Sequence, residues 1–141
     1  MANVLIVEDN LTDLGTANGL LTELGVEKVE SATTIPAALV YLEEVAERKR
    51  AAPALILLDL SFGYDSGFEV LRRWKSDARL KAIKIVVWTQ MGEREQELCK
   101  LFGLKHVVSK WDTVMELRTA LQSALGQTES RSSEPPKIGS A

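Results

Sequence analysis

Short runs of unbroken apolar residues recur along this chain, as Val4-Leu5-Ile6-Val7, Ala54-Leu55-Ile56-Leu57-Leu58, Ile85-Val86-Val87-Trp88 and the weaker Val107-Val108. A run with no polar position has no face to give to water, so it must be covered on both sides, as in a parallel sheet flanked by helices. The stretches between the runs carry apolar residues at three- and four-residue steps: Leu14, Ala17, Leu21 and Leu24; Ala38, Leu39, Leu42 and Val45; Leu98, Leu101 and Phe102; Val114, Leu117, Leu121 and Leu125. These are the stripes of amphipathic helices. Residues 26–31 alternate apolar and polar instead, which predicts an edge strand. Five strands alternating with five helices make an α/β sandwich. Sheets of this kind bind ligands at the carboxyl ends of their strands, where the winding direction reverses, so functional residues are expected just past each apolar run.

The punctuation agrees. Gly25 stands where the first helix should stop, Pro36 falls in an opening turn, and Thr113 with Glu116 has the spacing of a capping box. With 141 residues, 45% of them hydrophobic, the chain has the size and core of one domain, expected over residues 1–125. Residues 126–141 lose all apolar periodicity to Gln, Ser, Glu, Pro and Gly, and predict a flexible polar tail: a linker, an end without a role, or a partner-binding segment. A net charge of -3 argues against a broad grip on nucleic acid or an anionic membrane and in favour of protein partners. No run approaches the roughly 20 apolar residues of a membrane helix. The single cysteine, Cys99, leaves no internal disulfide and fits a reducing compartment, so a cytoplasmic location is expected.

Reading the position past each apolar run gives Glu8-Asp9, Asp59, Thr89 and Ser109-Lys110. Three acids at one sheet edge repel one another unless a cation or the lysine neutralises them. Oxygen donors without histidine or cysteine select Mg²⁺ or Ca²⁺ over zinc or copper, and a site with room for a phosphoryl oxygen selects Mg²⁺. A lysine and a hydroxyl are what the remaining phosphoryl oxygens need. Any one of these residues alone reads as a helix cap, a turn or a solvated side chain; the ensemble carries the information. His106 reads as an ordinary strand residue, Cys99 as a packing residue, and Trp74, Trp88 and Trp111 as core or interface aromatics. Arg48-Lys49-Arg50 reads as the basic end of the second helix, complementing its dipole.

The constellation resembles the receiver domains of two-component signalling over about residues 3–125. The likeness rests on Val7-Glu8-Asp9-Asn10, on Leu57-Leu58-Asp59-Leu60 with Gly67 closing the following loop, on Trp88-Thr89 and on Ser109-Lys110. It implies a flavodoxin-like (βα)5 sandwich with strand order 2-1-3-4-5. It also implies roles: Asp59 as the acceptor of a phosphoryl group from a histidine kinase or histidine phosphotransfer protein; Glu8, Asp9, Asp59 and the backbone carbonyl of Ser61 as Mg²⁺ ligands; Lys110 pairing with a phosphoryl oxygen; and Thr89 swinging towards the phosphoryl group to alter a surface. That surface, about residues 92–125, would bind a downstream protein or a second copy. Such a protein is a switch that takes part in its own phosphorylation and dephosphorylation, and not an enzyme with a separate substrate.

Four positions depart from the family pattern. Trp111 follows the lysine in place of proline, Val107 replaces a common aromatic, Gln90 follows Thr89 where a small residue is usual, and Gly63 stands where proline is frequent. They leave open an alternative, a degenerate receiver acting as a constitutive interaction module without phosphorylation. A flavodoxin is disfavoured because Glu8-Asp9-Asn10 would repel a phosphate. A nucleotidase is disfavoured because Gly-x-x-x-x-Gly-Lys-Ser/Thr is missing. An aspartyl phosphatase is disfavoured because Ser61, and not a second acid, lies two residues beyond Asp59.

Overall fold

The three longer apolar runs form the inner strands of one parallel sheet, and Val107-Val108 lies in an outer one. The computed structural model describes residues 3–62, 65–90 and 92–127. In chain order the elements are β1 (Asn3–Val7), α1 (Leu11–Glu23), β2 (Lys28–Ala32), α2 (Ile35–Ala46), β3 (Leu55–Leu58), β4 (Ser61–Phe62), β5 (Asp65–Ser66), α3 (Phe68–Ser76), the single turn α4 (Ala78–Lys81), β6 (Lys84–Thr89), α5 (Glu93–Leu101), β7 (His106–Ser109) and α6 (Val114–Ala124). The five-stranded sheet runs β2-β1-β3-β6-β7, and β4-β5 is a separate antiparallel ribbon. Counting only the strands of the large sheet, this is the order 2-1-3-4-5, with the alternating strand β2 at the edge as expected.

Two apolar layers cover the sheet. On one face Leu5, Val7, Ile56, Leu58 and Val87 meet α2, α3, α4 and Cys99 of α5; on the other Val4, Ile6, Leu55, Leu57 and Val86 meet Ala17 and Leu21 of α1 and Leu117 and Leu121 of α6. Successive strand residues point to opposite faces, so an unbroken apolar run feeds both layers. The register matters more for function. Val7 pairs with Ala32 and with Leu58, Leu58 with Val87, and Thr89 with Ser109, so the carboxyl ends of the strands finish nearly level. Whatever follows each strand is thereby brought to one edge.

The starts of α1 and α2 are set by side-chain caps: Asn10 accepts from the Asp13 N–H at 2.9 Å, and Thr34 from the Ala37 N–H at 3.1 Å, with Pro36 in the first turn of α2. Gly25, at φ 84°, ends α1 in the left-handed region.

Several local expectations are corrected. Thr113 precedes α6, but its hydroxyl makes no cap bond, because the Glu116 N–H turns to the Thr113 carbonyl at 3.1 Å. Helix α5 packs through Cys99 and leaves Leu101 74% exposed, so the apolar face is not the one the leucine spacing suggests. The cluster from Arg48 to Arg50 lies beyond α2 rather than in its last turn; Arg50 bonds Glu44 and Glu30 and stacks on Tyr41, tying the edge strand to the helix. The ribbon between β3 and α3 has no counterpart in the apolar pattern of the sequence; Phe62 anchors it in the core. Gly63 and residues 128–141 of the expected tail lie outside the described residues, whereas Gln127 is still tied to the fold by its amide, which donates to the Leu24 carbonyl at 2.8 Å. No helix among the described residues is long and apolar enough to cross a membrane.

Candidate functional site

Each strand end delivers one group. After β1, the Glu8 N–H continues the ladder to the Ala32 carbonyl, which holds the Glu8 carboxylate at 2% exposure, while Asp9 beside it is exposed. After β3, the Asp59 N–H bonds the Val7 carbonyl at 3.0 Å, and the Ser61 N–H donates to Asp59 Oδ1 at 3.0 Å. At the end of β6, Thr89 is fully buried; its hydroxyl donates to Asp59 Oδ1 and accepts from the Leu60 N–H. Beyond β7, the Lys110 N–H bonds the Thr89 carbonyl, and the side chain runs inward until Nζ lies 5.0 Å from the Trp88 ring centroid. The ammonium donates to Glu8 Oε1 at 2.8 Å, Asp13 Oδ2 at 2.7 Å and Asp59 Oδ2 at 3.1 Å.

The expected group is therefore assembled: Glu8, Asp9, Asp59, Thr89 and Lys110 converge, and Ser61 joins them through its N–H. One carboxylate oxygen each from Glu8, Asp9 and Asp59 lie within 4.8 Å of one another. Thr89 does not stand apart from Asp59; its hydroxyl donates to Asp59 Oδ1. Asp13 was missed. An acid in the first turn of a helix is what the helix dipole favours anyway, so the sequence offers no reason to single it out.

Charge dominates the site's physics. Three carboxylates, Glu8, Asp13 and Asp59, hydrogen-bond one ammonium, and a fourth, Asp9, clusters with Glu8 and Asp59. Burial opposes the charged form of Lys110, but its hydrogen bonds to Asp13 and Glu8 and the nearby Asp59 charge outweigh burial and hold its pKa above the usual 10.5. Burial pushes the Glu8 carboxyl up to about 7; the Lys110 hydrogen bond opposes this and the Asp59 charge reinforces it. All-oxygen donors, one of them that hard to ionise without added positive charge, fit a hard divalent cation.

A testable pH dependence follows from Glu8. Its folded pKa lies above the unfolded value of 4.5, so the folded state holds this proton more tightly; the associated stability is complete below about pH 4.5 and lost as pH rises through about 7. In chelator, stability of the native protein should fall across that window by up to about 1.4 kcal/mol per pH unit relative to Glu8→Gln. Urea melts at several pH values measure it, and parallel pH profiles for the two proteins would show that Glu8 is not the group responsible.

Other singled-out residues lie elsewhere. His106 is half-buried, and burial with the charges of Lys105 and Lys84 holds its pKa low. Burial pushes the Cys99 thiol up to about 11, so it is a packing residue and not a nucleophile. Trp88 is buried, Trp74 donates to the Ile83 carbonyl at 2.9 Å, and Trp111, next to Lys110 in the chain, is 70% exposed.

No model of a known protein family matches the sequence. Over its fold the chain is similar to the bacteriophytochrome response regulator AtBRR, with 30% identity, a TM-score of 0.72 and coverage of 91% of this chain and 94% of the other. It is similar to the phosphorylated cyanobacterial phytochrome response regulator RcpA, with 29% identity, a TM-score of 0.72 and 89% of both chains covered. Among curated proteins, the polar-differentiation response regulator DivK of Brucella ovis is 26% identical over 125 residues, 88% of this chain and 96% of its own length.

Proposed function

The chain belongs to the response-regulator receiver family of two-component signalling, and on that premise we propose that it is a phosphoacceptor switch with Asp59 as the acceptor. Members of this family are signalling switches rather than enzymes with separate substrates. The observation that carries the proposal is the set of partners around Asp59: a hydroxyl and a backbone N–H on Oδ1, an ammonium on Oδ2, and two further carboxylates within 4.8 Å.

Glu8, Asp9 and Asp59, with the Ser61 carbonyl, would hold Mg²⁺, which when bound supplies positive charge to offset the negative charge on the phosphoryl oxygens. In the transfer, an Asp59 carboxylate oxygen attacks the phosphorus of a phosphohistidine on a histidine kinase or phosphotransfer protein; the O–P bond forms, the P–N bond breaks, and the imidazole leaves. Lys110 donates to one phosphoryl oxygen, and the Thr89 hydroxyl turns from Asp59 to another. Reversal to carboxylate by water returns the switch to rest. We take residues 1–125 as the switching unit in the cytoplasm. Its output is a surface over about residues 92–125 for a downstream protein or a second copy, supported by the exposed apolar side chains of Trp111, Val114 and Met115, which follow Lys110 in the chain.

Incubation with acetyl phosphate tests this. The reading requires one base-labile phosphoryl group per chain, dependent on Mg²⁺ and mapped to Asp59. No incorporation at saturating Mg²⁺ would favour the constitutive interaction module.

A further inference from the structure

An ammonium has three N–H donors, and all three of those on Lys110 are engaged by carboxylates: Asp13 at 2.7 Å, Glu8 at 2.8 Å and Asp59 at 3.1 Å. The three partners differ in what happens to them during phosphorylation. Glu8 and Asp59 belong, with Asp9, to the clustered carboxylates suited to a cation; Asp13 does not. A cation there draws on the Glu8 oxygens. Phosphorylation replaces the Asp59 carboxylate by an uncharged acyl linkage, a much poorer acceptor. Two of the three anchors of Lys110 are thus withdrawn at the moment when the lysine must be aimed.

Asp13 is built to stay. It sits in the first turn of α1, its N–H capped by Asn10 at 2.9 Å, on a helix fixed to the sheet by buried Ala17, Leu20 and Leu21. The loop carrying Lys110 has less to hold it. After Lys110 it turns through the Asp112 N–H to the Ser109 carbonyl and the Trp111 N–H to Ser109 Oγ, and Trp111 itself stands 70% exposed. The Asp13 bond joins residues 97 apart in sequence, clamping the β7–α6 loop to α1.

Resting on the reading of Asp59 as acceptor, we propose that Asp13 is the positioning residue for Lys110. It keeps the ammonium in place throughout the transfer, so that the donors given up by Glu8 and Asp59 turn to phosphoryl oxygens. Asp13 touches no reacting atom; it acts through the lysine.

A mutant cycle under acetyl phosphate at saturating Mg²⁺ tests this. Asp13→Asn, near-isosteric and still capped through its backbone N–H, should lower the maximal labelling rate roughly tenfold or more, the scale of one lost hydrogen bond between charged groups. Asp13→Glu should recover part of the loss. In Lys110→Ala the further change Asp13→Asn should have no effect, whereas a role in helix α1 alone would make the two losses multiply and overturn the proposal. A second readout needs no phosphorylation. The Lys110 side-chain ammonium resonance, protected from water exchange by three hydrogen bonds in the native protein, should broaden in Asp13→Asn. An unchanged resonance with normal labelling in Asp13→Asn would refute the anchoring and leave Asp59 as acceptor; a broadened resonance in Asp13→Asn when the native protein itself takes no label would support the anchoring and refute the acceptor.

Discussion

In Asp59→Asn, phosphoryl incorporation from a small donor falls from one group per chain to none, while the fold persists. The amide has the shape of the carboxylate, and its oxygen can still accept from the Ser61 N–H and the Thr89 hydroxyl, the two bonds that now hold Oδ1. What disappears is the anionic nucleophile, and nothing beside it can take its place. Glu8 is buried and tied to Lys110 and to the Asn10 N–H, and Asp9 is exposed beyond the strand end. Removing one of three clustered acids should also weaken Mg²⁺ by about tenfold or more, since the number of charged ligands sets the affinity of such sites. Intact-mass analysis reads the first effect and calorimetric titration with Mg²⁺ the second. Undiminished label in Asp59→Asn would move the acceptor elsewhere.

Gly67→Ala should damage both stability and the site, although its substitution is the smallest available. The backbone at Gly67 is ordinary, with φ of -62°, so conformational strain is not at issue. Space is: a Cβ there would lie 2.4 Å from the Asp59 carbonyl oxygen, 2.8 Å from Leu60 Cα and 3.2 Å from the Asp59 carbonyl carbon. All three are backbone atoms with no rotamer to retreat into, and the Gly67 N–H is itself bonded to the Leu60 carbonyl at 3.0 Å. Relief requires residues 59 and 60 to shift, which drags the acceptor away from Thr89 and Ser61. We expect a loss of about 3 kcal/mol, at the upper end of overpacking penalties, together with slowed labelling. Urea melts and labelling rates check it; wild-type values for both would show that the loop yields freely.

Asp59 and Gly67 differ in how far the amino-acid sequence alone discloses them. Asp59 is legible because an apolar run with no solvent face has to be an inner strand, and a parallel sheet puts the residues after its strands at one edge. Glu8, Asp9, Thr89 and Lys110 follow by the same rule, and the level strand ends make it hold here. Gly67 is legible as a loop-closing residue, but the clash that makes it necessary appears only when the ribbon folds back over Asp59. The ribbon itself is hidden, since two-residue strands are too short for a period. Asp13 is hidden for another reason. Its role depends on a contact between α1 and the loop after β7, and locally it looks like any acid at a helix start. Leu101 and Thr113 mark the limit of pattern reading: the first fits the apolar spacing of α5 yet faces outward, and the second has a capping sequence whose backbone takes the bond instead.

The most direct test of the central claim is fluorine NMR of beryllofluoride, a mimic of the acyl phosphate, added with and without Mg²⁺ to the native protein and to Asp59→Asn. The phosphoacceptor reading predicts bound resonances in the native protein that require Mg²⁺ and vanish in Asp59→Asn. Absence of bound resonances in the native protein at saturating Mg²⁺, or their persistence in Asp59→Asn, would contradict it.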